Sequence, residues 1–205
     1  MKTHNPPLPL GYSALAPGKV ANVVTCLEMN ERPPLRPVPE LSQGIDLLPL
    51  ARPDVDAYRA LFRSVGCDWL WSSRLVMPDE ELRAILENPQ VELYTLRQEG
   101  KPVGLLELDF REQGECELAF FGLVKEAIGT GAGRYLMDQA VAKAWAKPIR
   151  RFWVHTCTFD HQSALGFYQR SGFRPYAFAV EVMDDPRLTG HLPRAAAPHI
   201  ALLER

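Results

Sequence analysis

The sequence has no Cys-x-x-Cys pair, no apolar run at its start and no large excess of charge of either sign, and each absence closes off a class of function. Its four cysteines, Cys26, Cys67, Cys116 and Cys157, are widely separated, which argues against a zinc site or a redox pair. They read as reduced, mostly buried thiols, and no metal is expected. With 23 basic and 25 acidic residues, the net charge of -2 does not suit a surface built to neutralise many phosphates. Nucleic acid and an acidic membrane surface are therefore poor partners. From Met1 to Leu10 the chain has Lys2 and His4 and then prolines, so neither a signal peptide nor a membrane anchor is expected, and the cytoplasm is the expected compartment.

What is present is an ordinary globular composition: 205 residues, 46% hydrophobic and 23% charged, enough to bury one sizeable core. Prolines are not scarce, and they cluster at Pro6, Pro7 and Pro9 and again at Pro33, Pro34, Pro37 and Pro39. Residues 1–44 thus read as an extension rather than a second domain, ahead of a main domain over 45–205. Between the clusters, Val20 to Met29 is β-branched and partly alternating, which predicts a strand docking on the main body. Its partner is not readable.

From Ile45 the units become regular. Ile45 to Leu50 suits a short strand, and Asp54 to Val65 carries Tyr58, Leu61, Phe62 and Val65 on one helical face, with Asp54 as N-cap and Gly66 as the stop. A second helix begins near Pro78 and ends before Asn88-Pro89. Val91 to Arg97, Pro102 to Phe110 and Glu115 to Val124 are strands joined by hairpins. A helix from Gly131 to Ala146, a strand from Arg151 to Thr156, a short helix from Ser163 to Arg170 and a strand from Tyr176 to Met183 follow, with a last strand from His199 to Leu203. The pattern is a mixed α/β sheet of six or seven strands with about four helices.

The segment Leu123 to Leu136 runs from a strand end through Gly129, Gly131 and Gly133 into a helix. Glycines there leave backbone N–H groups uncovered at the positive end of a helix dipole, a cradle for phosphate oxygens to which Arg134 can add a charged donor. The Gly-Lys-Ser/Thr ending of a nucleoside-triphosphate loop is missing, since Gly133-Arg134-Tyr135 stands there. A dinucleotide fingerprint also fails on spacing, which counts against a nicotinamide-dependent oxidoreductase.

The run Ile128-Gly129-Thr130-Gly131-Ala132-Gly133, followed one helix and one strand later by Ala164, Tyr168, Gly172 and Phe173, resembles the two motifs of the GNAT acetyltransferases. The resemblance covers about residues 45 to 183. It implies a GNAT-like mixed sheet and acetyl-CoA, or another acyl-CoA, as co-substrate, held by Leu123, Val124, Ile128, Gly129, Thr130, Gly131, Ala132, Gly133, Arg134 and His161. Three positions depart from the family: Ile128 replaces a polar residue, Lys125 stands where proline is common, and His161 stands where asparagine often precedes the last helix. The cradle is mainly backbone, so Ile128 weakens it modestly without abolishing it.

Acyl transfer to an amine needs a base, an oxyanion donor and a proton for the leaving thiolate. The resemblance implies Glu117 as base, with Glu115 and His155 as rivals, a backbone N–H around Phe121 to Leu123 for the oxyanion, and Tyr168 as proton donor. Phenol, with its pKa near 10, is protonated at neutral pH. The link between the first two helices contains Asp68, Trp69, Trp71 and Arg74. Its tryptophans could cage an ammonium, and Arg74 could instead recognise a carboxylate. These residues and His155 are the acceptor-binding candidates. A non-catalytic domain that binds acyl-CoA or a small ligand is the alternative. The acceptor, a small-molecule amine or a peptide or protein amine, is not legible, and oligomeric state is open, a homodimer included.

Overall fold

The computed structural model describes residues 5–34, 44–51 and 53–204. Pro37 and Pro39 of the second proline cluster, and Lys2 and His4 at the start, lie outside them. Among the described residues seven strands form one sheet: β1 (Lys19–Met29), β2 (Ile45–Pro49), β3 (Val91–Gln98), β4 (Lys101–Asp109), β5 (Glu115–Leu123), β6 (Arg151–Cys157) and β7 (Arg174–Asp184). Among the described residues the α-helices are α1 (Val55–Gly66), α2 (Ser73–Val76), α3 (Asp79–Leu86), α4 (Ala132–Ala144) and α5 (Ala164–Arg170). The expected mixed α/β sheet is thus present with seven strands.

Local chemistry accounts for much of this. The Asp54 carboxylate accepts from the N–H groups of Asp56 (3.2 Å) and Ala57 (3.3 Å), capping α1. One stripe of that helix, including Tyr58, Phe62 and Val65, is buried. Glu99 (φ 51°) and Gly100 (φ 77°) adopt the left-handed conformation that turns β3 into β4. Gly66 does not stop α1 by a left-handed turn, since its φ is -99°. The glycine is needed because a Cβ there would lie 2.4 Å from Trp71 Cβ.

The order across the sheet is β2-β3-β4-β5-β6-β1-β7, antiparallel throughout except for β5 beside β6. The strand expected to dock on the main body does so in the interior of the sheet, and its partners, not readable in the sequence, are β6 on one side and β7 on the other. Helices α4 and α5 cover one face of the sheet, packing Leu136, Met137, Ala140 and Tyr168 on Leu106, Leu118 and Phe152. The opposite face takes α1 and α3 together with Leu192, Ala196 and Ala197.

The expected last strand, His199 to Leu203, does not form. The buried Arg187 side chain donates to the carbonyls of Ile200 (2.8 Å) and Ala201 (3.2 Å) and is held by Asp185 (2.7 Å). A guanidinium occupies the acceptors that strand pairing would use, so the C-terminal run folds back as turns.

Candidate active site

Strands β5 and β6 pair in parallel only at Glu115, Cys116 and Glu117, opposite Arg151, Phe152 and Trp153. Beyond Glu117 the two separate. On the other side of β5 the register shifts, with Glu107 opposite Phe120 and Leu108 opposite Leu118, so Ala119 is the extra residue of a bulge. A bulge bends the strand that carries it. From Leu118 to Leu123, β5 consequently keeps β4 as its only strand partner among the described residues and leaves its other edge open to a cleft of about 940 Å³.

The glycine turn forms one end of this cleft. Gly129 (φ 85°) and Gly131 (φ 92°) are left-handed, and a Cβ on either would meet no atom within 4 Å, because both face open space. The N-terminus of α4 has no side-chain cap. Ala132 N–H donates to Thr130 Oγ1 (3.4 Å), and the N–H groups that follow it in the first turn, with the dipole, are available to an anion such as a pyrophosphate, beside Arg134. Leu123, Ile128, Gly129, Gly131, Gly133 and Arg134 line the cleft. Three other cofactor candidates do not: Ala132 is buried, Val124 N–H donates to the Val103 carbonyl (2.9 Å), and Thr130 Oγ1 bonds the Ala127 carbonyl (2.8 Å). His161 lines the cleft, and its Nδ1 accepts from Ser163 N–H (3.1 Å) at the start of α5.

At the point where the strands part stands Glu117. Asp109 is its cross-strand neighbour and Glu107 lies two residues further along the same face of β4. Burial first, and then the charges of Asp109 and Glu107, push the Glu117 carboxyl up to about 7. Each neighbour has a partner of its own. Glu107, fully buried, accepts from Tyr58 Oη (2.5 Å) and Arg74 Nη2 (2.5 Å), while Asp109 pairs with Arg111 (2.5 Å). His155 Nδ1 is 3.8 Å from Glu117 Oε1. Burial holds its imidazole below the ordinary range against the opposing pull of Asp160 and Glu181, so it is neutral at pH 7. Glu115 is tied to Arg151 (3.1 Å) and does not line the cleft. The structure therefore brings Glu117 and His155 together and leaves Glu115 outside.

Across the cleft, Tyr168 on α5 packs near Phe121 (6.2 Å) and Phe173 (5.9 Å). Burial, aided by the charge of Asp160, raises its phenol well above the ordinary value, so it stays protonated and keeps an O–H group to offer as a hydrogen bond. The acceptor candidates are placed less openly. Arg74, buried, is held by Glu107 and lies over the Phe120 ring (5.0 Å). Trp71 packs on Phe62 (5.5 Å) and Phe120 (5.4 Å), and Trp69 stands edge-on to His161 (5.5 Å).

Asp160 escaped the sequence reading. Its carboxylate accepts from Trp71 Nε1 (3.2 Å), Thr156 Oγ1 (2.7 Å) and Cys157 N–H (2.9 Å), tying the end of β6 to the helix-side wall. An aspartate just past a strand end, able to turn back on the backbone, was its one local signal. Gly122 has a comparable role in shape: a Cβ there would lie 2.5 Å from Val65 Cγ1 and 3.0 Å from Trp71 Cη2. Gly122→Ala is expected to cost about 1–3 kcal/mol by overpacking. Urea unfolding checks this, and unchanged stability would mean that Val65 and Trp71 yield freely.

A model of the acetyltransferase (GNAT) family matches residues 58–173, more than half of the chain. The chain belongs to that family. The match includes the glycine turn, Glu117 and Tyr168, and excludes β1 and β7. Solved structures share the GNAT fold at low identity. A GCN5-related N-acetyltransferase from Sphaerobacter thermophilus is 13% identical, with a TM-score of 0.57 over 82% of this chain and 52% of that one. One from Kribbella flavida is 19% identical, with a TM-score of 0.54 over 84% and 63%. An aminoglycoside acetyltransferase, meta-AAC0020, from an uncultured soil metagenomic sample and in complex with trehalose, is 18% identical, with a TM-score of 0.53 over 65% and 90%. The chain thus spans about half to two thirds of the length of the two GCN5-related relatives. No curated protein matches it by sequence.

Proposed function

We propose that this GNAT-family chain is an N-acyltransferase that moves an acetyl or other small acyl group from acyl-CoA to an amine by direct attack. The observation that carries this is the shared cleft: Glu117 on β5 and Tyr168 on α5 open onto the same space as the uncapped glycine turn. The open space at Gly129 and Gly131, which a Cβ would fill, suits the phosphates of CoA. When bound, the thioester supplies an acyl carbon activated by a sulfur leaving group.

The residues of the chain do the rest. Glu117, with its carboxyl near 7, is partly ionised at neutral pH and takes the proton that the amine loses as its nitrogen attacks the carbonyl carbon. Along the open edge of β5, a backbone N–H within residues 121–123 faces the carbonyl oxygen as negative charge develops there. While the C–N bond forms and the C–S bond breaks, Tyr168 gives its phenolic proton to the sulfur. Four free thiols fit a reducing cytoplasm as the compartment.

Thiol release from acetyl-CoA across an amine panel tests the reading. Binding of acetyl-CoA with no release for any amine would overturn it in favour of a non-catalytic acyl-CoA-binding domain. Within the active enzyme, Tyr168→Phe is expected to lower kcat by tenfold or more while KM for acetyl-CoA moves by less than about twofold. Equal turnover for the two proteins removes Tyr168 from the mechanism.

A further inference from the structure

The strand β1 lies outside the segment that the family model matches, yet it delivers a residue to the cleft. Asn22, on β1, is 3% exposed and lies in register with Glu181 on β7. Its Nδ2 donates to Glu181 Oε2 (2.9 Å). A carboxylate can only accept, so this bond fixes the orientation of the amide and leaves Oδ1 as its other end. That oxygen is buried and has no hydrogen-bond partner in the chain. Asn22 and Glu181 both line the cleft, as do Asp160, His155 and Glu117.

The side-chain charges that act on His155, beside them in the cleft, are the carboxylates of Asp160 and Glu181. Glu117, Asp160 and Glu181 are carboxylates, and His155 is held neutral by burial. Of the four arginines that line the cleft, Arg74 and Arg111 are engaged by Glu107 and Asp109, Arg134 stands at the glycine turn and Arg170 ends α5. A ligand group seated beside Asn22 and Glu181 therefore meets acceptors, and the group that complements them is a cationic N–H donor.

We propose that Asn22 and Glu181 form a second acceptor subsite for an ammonium group, so that the preferred acceptors are diamines or polyamines. This deepens the acyl-transfer reading and rests on it for turnover. One amine reaches Glu117 as the nucleophile while the other, still charged, is held by the Glu181 carboxylate and the Asn22 Oδ1. The arrangement also helps the chemistry, because a nearby positive charge lowers the pKa of the attacking amine and raises its neutral fraction.

The test compares 1,4-diaminobutane with n-butylamine, using thiol release from acetyl-CoA and, separately, calorimetric binding of each amine to the full chain. The diamine is expected to exceed the monoamine by about tenfold or more in kcat/KM, through KM. In Glu181→Gln, at an exposed position, and in Asn22→Leu, that ratio falls towards one. Equal kcat/KM for the two amines in the parent protein, or a ratio that Glu181→Gln leaves intact, overturns the subsite. The two readings fail separately. Diamine binding that Glu181→Gln weakens about tenfold, with no thiol release from any amine, removes the acyl-transfer reading and supports the subsite. Thiol release with no diamine preference removes the subsite alone.

Discussion

Glu117→Gln is expected to lower kcat for amine acylation by about a hundredfold or more, within the range that a positioned general base supplies. The pH profile carries the sharper signature. A base works in its deprotonated form, so with the Glu117 carboxyl at about 7, kcat/KM expressed per neutral amine rises about tenfold per unit as pH climbs towards 7 and levels off above it. In Glu117→Gln that ascending limb disappears. The rival, His155, would place its limb below the ordinary imidazole value, because burial lowers it. A limb near 7 that survives Glu117→Gln would remove the glutamate from the role of base. The position of the limb thus separates two side chains that lie only 3.8 Å apart.

Arg74→Ala is expected to cost about 3–5 kcal/mol, because it leaves the fully buried Glu107 carboxylate without its guanidinium and with the Tyr58 hydroxyl as its remaining side-chain donor among the described residues. Against a total stability of about 5–15 kcal/mol, this is the largest single loss anticipated for the fold. The double substitution Arg74→Met with Glu107→Leu removes both charges and should recover most of it. Urea denaturation of the two variants decides the matter. A loss below about 1 kcal/mol in Arg74→Ala would mean that water reaches Glu107, and that Arg74 is free to serve an acceptor.

The elements that were legible in advance share one property: short-range chemistry specifies them. Asp54 caps the helix that begins beside it, Glu99 and Gly100 turn a hairpin between adjacent strands, and the glycines at 129 and 131 adopt the left-handed angles that bare a helix N-terminus. The family resemblance was legible for the same reason, since each of its two motifs lies within a few residues of a turn. The strand at His199 to Leu203 was misread because its apolar pattern carried no information about Arg187, whose guanidinium takes the carbonyls of Ile200 and Ala201.

The sequence by itself determined α1 with its Asp54 cap, α3, α4 and α5, the hairpins, the glycine turn and the likeness to a family, though not the short helix α2, because local sterics and hydrogen bonding act between near neighbours. Only the tertiary structure decided that β1 lies between β6 and β7, that Glu117 rather than Glu115 faces the cleft, that Arg74 answers to Glu107, and that Asn22 meets Glu181 across 159 residues. The strand pairings among them depend on register, and a slip of one residue would turn Asn22, Glu107, Glu117 and Glu181 to the opposite face of the sheet, whereas Arg74 meets Glu107 from helix α2.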